Sequence, residues 1–375
     1  MAIFLLIISF FYFLLIGFLV VGFDKIEIFH SESENSHISF SIIIPFRNEG
    51  DNIPALLNSI LKLKYPTSQF EIIFVDDDSK DASVSIIDEF RLNHPQINVN
   101  VLVNEPKTNS AKKDAVITAI NNAKHEWVLT TDADCTVSPY WLSYLSDFIH
   151  ANQSEMVVGP VTYITDRSFL SKFQLLDFLG LQSTTIGSFG LGLPFLCNGA
   201  NLAYSKQLFV KLNGFEGNLD IASGDDMFLL QKAVRFHRNS VHILKSKKAL
   251  VRTIPLNNWN ALIQQRIRWA SKTTVLKNKF GNLIAMIVIL MNLAILIGII
   301  AVLTTSITLQ FFLIIFGLKM IADFNLIYKS ADLFDQENVL YYFIFSSFIY
   351  PFFAIIVALL SIFPNYKWKE RRLAR

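Results

Sequence analysis

The 375-residue chain is short of charge, of cysteine and of any glycine-rich phosphate loop. Charged residues make up only 17% against 52% hydrophobic ones, and the mean hydropathy of +0.40 is too high for an ordinary soluble enzyme of this size. Two cysteines, Cys135 and Cys197, are too few for a secreted disulfide framework and fit a reducing compartment. The 33 basic and 31 acidic residues leave a net +2, so nucleic acid is not an expected partner. No repeat of 20–50 residues and no low-complexity tract is present. After the first strand-like run comes Arg47-Asn48-Glu49-Gly50, which argues against both a dinucleotide fold and a P-loop. At the start, no basic residue precedes the apolar run and no small-x-small cleavage site precedes Asp24. The reading is an uncleaved anchor rather than a signal peptide.

The missing charge is concentrated in three runs, 1–23, 280–318 and 338–366, none of which holds an Asp, Glu, Lys or Arg. A bilayer core takes about 20 helical residues, so the first and third runs each cross once. The second breaks at Thr304-Thr305-Ser306 and predicts a hairpin of two helices, the later one reaching past Lys319 and Asp323. The expected order is an anchor over 1–23, one water-facing α/β domain over 24–279, about three apolar segments over 280–366, and a basic tail over 367–375. Arg266, Arg268, Lys272, Lys277 and Lys279 precede the second run and place the domain on the cytoplasmic side. Lys367, Lys369, Arg371, Arg372 and Arg375 make the tail equally basic. Three crossings would put that tail outside, so the two charge signals conflict unless one segment is re-entrant or interfacial; Pro351 marks the last segment as the suspect.

Within the domain, Ser39–Phe46 is a β-branched run ending at Pro45 and Phe46, followed by a helical pattern over Asn52–Leu63. The unit recurs as Phe70–Val75 before Ala82–Arg91, then Val99–Val103 before Ala111–Ala123, then Trp127–Thr131. Strands alternating with helices predict a doubly wound α/β sheet, whose ligands bind at the carboxyl ends of the strands. Asp76-Asp77-Asp78 and Asp132-Ala133-Asp134 both fall at such ends. From Phe169 to Phe195 an apolar stretch is interrupted by Lys172, Asp177 and several glycines. It fits an amphipathic interfacial element or a buried core helix.

Two carboxylates one residue apart at a strand end, Asp132 and Asp134, can grip a hard divalent ion and leave positions open for phosphate; a solvated turn has the same appearance. Asp76 and Asp77 share that ambiguity and could take a nucleoside hydroxyl or imino hydrogen. Lys112 and Lys113 open a helix, where dipole and side chain both favour phosphate. Asp226 stands beside Asp225 near a helix start: either a base whose pKa a like charge raises or a helix cap. Arg266 and Arg268, two apart, point to different faces of a helix, one able to reach a phosphate while the other meets lipid headgroups. Trp269 beside this basic run could be an interfacial aromatic.

The order of these elements is far more specific than any one of them. Pro45 with Asn48 and Glu49, VDDDS at 75–79 with Asp81, Lys112, DAD at 132–134, GDD at 224–226, and Gln265, Arg268 and Trp269 as QxxRW together resemble a family 2 glycosyltransferase of GT-A fold. The resemblance covers about residues 38–272, and the flanking apolar runs are similar to its membrane-integrated branch, with cellulose, chitin and hyaluronan synthases and ceramide glucosyltransferase. Two departures keep the charge: Ala111-Lys112 stands for the usual Gly-Lys and Asp225-Asp226 for the usual Glu-Asp. The resemblance implies donor contacts from Pro45, Asn48, Glu49, Asp76, Asp77, Lys112, Asp132 and Gln265. It also implies Mg²⁺ or Mn²⁺ on Asp132 and Asp134, Asp226 as base, Arg268 at the leaving diphosphate and Trp269 on the acceptor.

The function expected is inverting transfer of a sugar from a nucleoside-diphosphate sugar to a lipid, lipid-linked or polysaccharide acceptor, in a bacterial plasma membrane. The rival expectation is a transporter or a scaffold that binds nucleotide sugar without turnover. The charge-free runs weigh against transport.

Overall fold

The structure is a computed structural model and describes residues 1–31, 38–108, 110–219, 224–273, 278–362, 366–368 and 371–373. Of the basic residues expected to flank the membrane, Lys277, Lys369 and Arg375 lie outside the described residues. The helices in chain order are α1 (Ala2–Lys25), α2 (Ile53–Ile60), α3 (Ser83–Asn93), α4 (Ala111–Asn122), α5 (Trp141–Asn152), α6 (Phe169–Gly190), α7 (Lys206–Lys211), α8 (Asp225–His237), α9 (Trp259–Thr273), α10 (Lys279–Leu303), α11 (Leu309–Leu333) and α12 (Phe343–Leu360). The strands are β1 (Phe40–Phe46), β2 (Phe70–Asp76), β3 (Asn98–Val103), β4 (Trp127–Thr130), β5 (Cys135–Val137), β6 (Met156–Val158), β7 (Val161–Tyr163), β8 (Leu202–Ser205), β9 (Val241–Ile243), β10 (Val251–Thr253) and a terminal hairpin of β11 (Tyr366–Trp368) and β12 (Arg371–Leu373). They form two compact units: Met1–Ile26, Thr165–Leu196 and Pro255–Ala374 in one, Glu27–Ile164 and Cys197–Ile254 in the other.

The second unit is a mixed α/β domain. Its seven-stranded sheet runs β3-β2-β1-β4-β8-β6-β9. The expected parallel half is there, with β1 central, Ile42 opposite Ile72 and Leu129 in neighbouring strands, and β3 beyond β2. Ile42, Ile43, Ile44, Phe74, Val128 and Leu129 are fully buried, the apolar runs that a sheet covered on both faces requires. The other half departs from a simple doubly wound pattern, because β8 is antiparallel to both β4 and β6. After β4 the chain turns into β5, which pairs in a separate three-stranded sheet, β5-β10-β7.

The first unit is helical. Four stretches are long and apolar enough to cross a membrane: Ala2–Lys25, Lys279–Leu303, Leu309–Leu333 and Glu337–Leu360. The break between α10 and α11 falls at the expected threonines, with Thr305 at φ +55°. α6 is one continuous helix despite its glycines, packed on α1 and α11. A β-carbon on Gly187 would stand 2.3 Å from the Leu19 carbonyl oxygen, and one on Gly190 only 1.8 Å from that of Gly22. The glycines are therefore where two helix backbones touch.

Candidate active site

The α/β domain brings its acidic segments to the carboxyl ends of β1, β2 and β4. Pro45 stands opposite Val75 near the end of β1, and the Asp77 N–H donates to the Phe46 carbonyl at 2.9 Å. The chain then reverses at Asn48, whose φ of +50° is a conformation asparagine tolerates. This turn laces the two loops together. The Asn48 N–H donates to Ser79 Oγ at 3.0 Å, Lys80 N–H to Asn48 Oδ1 at 2.8 Å, Glu49 N–H to Ser83 Oγ at 2.8 Å and Gly50 N–H to Asp81 Oδ2 at 2.8 Å. Burial would raise the Asp81 carboxyl, but hydrogen bonds from Ser83 and Gly50 outweigh it and hold it below the usual range. Asp76 Oδ1 accepts from the Ser79 N–H at 3.0 Å. Asp77 accepts from Asn104 Nδ2 at 2.9 Å and has the Arg47 guanidinium 3.8 Å away.

The second cluster centres on Lys112, in the first turn of α4. Its Nζ donates to Asp132 Oδ1 at 2.6 Å. Burial would lower the ammonium's pKa, yet it is raised because Asp132, Asp225 and then Asp226 face it. One cation thus gathers carboxylates from the end of β4 and the start of α8. Asp134 is pushed up to about 6, first by burial and then by the negative charges of Asp132 and Glu49. Asp226 is held by the Gly199 N–H at 2.9 Å and by the Met227 N–H at 2.8 Å. The helix cap itself is Gly224 at φ +88°, not an aspartate. Gly199 is fixed in turn, its carbonyl accepting from Thr130 Oγ1 at 2.6 Å.

Lys113 is buried and points elsewhere, donating to the Asn218 carbonyl with its ammonium 5.2 Å from the Phe228 ring centre. Asn201 could not be singled out from the sequence. Wholly buried, it accepts from Trp141 Nε1 and donates to the Pro160 and Ala249 carbonyls, each at 2.9 Å, and so ties the Asn198–Asn201 turn under Asp226 to the two sheets.

Gln265, Arg268 and Trp269 lie on α9 and belong to the helical unit. Of the two arginines, Arg266 is turned inward: its side chain is 6% exposed and pairs with Asp177 at 2.7 Å, because burial in an apolar bundle demands a counter-charge. It also covers the Trp269 ring at 4.2 Å.

The residues most suited to a divalent cation are Asp132 and Asp134, hard oxygen donors crowded enough that the second carboxyl is raised. Among the described residues no three His, Cys, Asp or Glu side chains converge to hold a metal alone. The pair therefore fits an ion whose remaining oxygens come from a bound ligand.

The mixed sheet carries its charged groups at one end of its parallel half, and together with its likeness to a solved mannosyltransferase this gives the domain a GT-A-type fold. The chain belongs to glycosyl transferase family group 2, whose model matches residues 127–363, and the glycosyl transferase family 2 model matches residues 41–211. Poly-beta-1,6-N-acetyl-D-glucosamine synthase of Staphylococcus epidermidis is 25% identical over 247 residues, 64% of this chain and 56% of that protein. The probable glycosyltransferase YdaM of Bacillus subtilis is 25% identical over 243 residues, again 64% and 56%. The chain thus spans just over half the length of these curated relatives. Among solved structures, the mannosyltransferase PcManGT of Pyrobaculum calidifontis, in complex with GDP-Man and Mn²⁺, has a TM-score of 0.58 and 15% identity, covering 96% of this chain and 98% of that one.

Proposed function

We propose that the chain is an inverting membrane glycosyltransferase, moving a sugar from a nucleoside-diphosphate sugar to a glycan, lipid-linked or lipid acceptor in a bacterial plasma membrane, with the α/β domain cytoplasmic. The observation that carries this reading is the convergence on Lys112 of carboxylates from the β4 end and the α8 start. Such a centre suits a diphosphate on one side and a hydroxyl nucleophile on the other. The relatives' names support a glycan acceptor, and the GDP-Man complex of PcManGT supports the donor class.

Asp76 and Asp77, in loops braced by Pro45, Asn48 and Glu49, would hold the nucleoside, and Lys112 would bind the phosphates. Asp132 and Asp134 would hold Mg²⁺ or Mn²⁺, which when bound supplies positive charge to the diphosphate. Asp226, oriented by the Gly199 and Met227 N–H groups, would accept the acceptor's hydroxyl proton as that oxygen attacks the anomeric carbon opposite the leaving group. Arg268 would counter the charge gathering on the diphosphate. Gln265 would contact the donor and Trp269 would stack on the acceptor. Lys319 and Asp323 lie in α11 and pair with each other at 2.5 Å; the family match, not the charge of the spans, weighs against a transporter.

The test is incubation of the purified protein in lipid with UDP-N-acetylglucosamine, UDP-glucose and GDP-mannose, with membrane lipid or cell-wall glycan as acceptor. Release of free nucleoside diphosphate from one donor, with label passing to the acceptor, is expected. Tight binding of a donor without turnover would favour the scaffold.

A further inference from the structure

The helical unit buries a second set of charges. Asp177 on α6 and Arg266 on α9, with side chains only 8% and 6% exposed, meet at 2.7 Å through the guanidinium Nε. The same guanidinium donates through Nη1 to Gln265 Oε1 and lies 4.2 Å from the Trp269 ring centre. Phe178, the neighbour of Asp177, packs against that ring at 6.2 Å. Behind the pair, Tyr350 on α12 interacts with Asp177, Arg266 and Asp323. Its ring carries the buried Lys319 ammonium at 5.5 Å, and Lys319 closes on Asp323 at 2.5 Å.

We propose that Asp177 is a positioning residue for transfer: by fixing the Arg266 guanidinium it sets the side-chain orientation of Gln265 and Trp269 on α9. The proposal rests on the glycosyltransferase reading above. Residues 266 and 269 are one helical turn apart and so are neighbours on the surface of α9. A free arginine has many rotamers. Once its Nε is held by a carboxylate from another helix, the plane of the guanidinium is set, and with it both the cation–π face offered to Trp269 and the donor offered to Gln265. A buried ion pair adds little stability over apolar residues of the same volume. Orientation is what an apolar pair here could not supply.

The test uses the full chain in lipid nanodiscs, with UDP-N-acetylglucosamine, UDP-glucose and GDP-mannose as donor probes. The variants are Asp177→Asn, Arg266→Gln and the apolar double replacement Asp177→Leu/Arg266→Met. In the double variant the melting temperature should stay near wild type, while transfer kcat falls by roughly 10²-fold, the scale of a small misplacement of reacting groups, the donor Kd rises with the loss of the Gln265 orientation and the acceptor KM rises with that of Trp269. Wild-type kcat and acceptor KM in a folded double variant would overturn the proposal. If that variant does not fold, Asp177→Asn decides: a lowered kcat and a raised acceptor KM with unchanged melting temperature support positioning, and an unchanged kcat overturns it. A wild-type protein that turns over no probe overturns the glycosyltransferase reading and this proposal together; normal wild-type turnover matched by the Asp177 variants sinks the positioning role alone.

Discussion

Lys112 sets one positive charge against carboxylates from two segments of the chain. In Lys112→Met those carboxylates would lose that positive charge and a donor phosphate would lose its cation. A charged hydrogen bond contributes about 1.5–3 kcal/mol, so donor Kd should rise by roughly 10- to 100-fold; titration of donor into the variant measures it, and an unchanged Kd would remove Lys112 from the donor site. Asp134→Ala, or a chelator added to the wild type, should abolish turnover. Mg²⁺ or Mn²⁺ should then restore the chelated wild type and not the variant, since both ions favour hard oxygen ligands; full turnover in excess chelator would dismiss the metal. At this scale the acidic residues were legible because each ends an apolar strand, where a sheet presents its ligands. Asn104 and Asn201 were not, because a buried amide that bridges loops leaves no periodic trace. The fate of Arg266 was hidden too: helical spacing separates its face from that of Arg268, but nothing local names Asp177 as its partner, 89 residues earlier.

The helices that pack closest are also the ones whose glycines were hardest to read. Gly180, Gly187 and Gly190 look like interruptions in the apolar stretch from Phe169, yet α6 runs through them, since a bundle gains close backbone approach where side chains are absent. Gly190→Ala would drive a methyl against the Gly22 carbonyl and should lower stability by about 1–3 kcal/mol, the usual cost of overpacking. Gly17→Ala, with nothing within 4 Å of the added carbon, should melt like the wild type. Thermal unfolding of both variants in the same detergent checks the contrast, and equal melting temperatures would show that α1 and α6 do not touch there. The α10–α11 break was legible because Thr304-Thr305-Ser306 is a polar gap in a charge-free run. Strand β8 was not, because the four residues Leu202–Ser205 are too few to show a strand period, and a run buried on both faces reads the same whichever way it runs.

For the chain as a whole, the composition separates an apolar helical unit from an α/β domain, and the structure has both. The proposed topology predicts that a cysteine at the exposed Asn239, in a Cys197→Ser background, reacts with a membrane-impermeant maleimide only after intact cells are permeabilised; labelling in intact cells would put the domain outside. The central claim is that this domain transfers a sugar with Asp226 as the base. Asp226→Asn keeps the shape of the side chain and removes its capacity to take a proton. The most direct measurement is therefore donor Kd and nucleoside diphosphate release, in the presence of acceptor, for wild type and Asp226→Asn in the same lipid preparation. The account predicts nearly equal donor affinity with release slowed by about 10²–10⁴-fold, the usual loss for a general base; release at the wild-type rate from Asp226→Asn would contradict it.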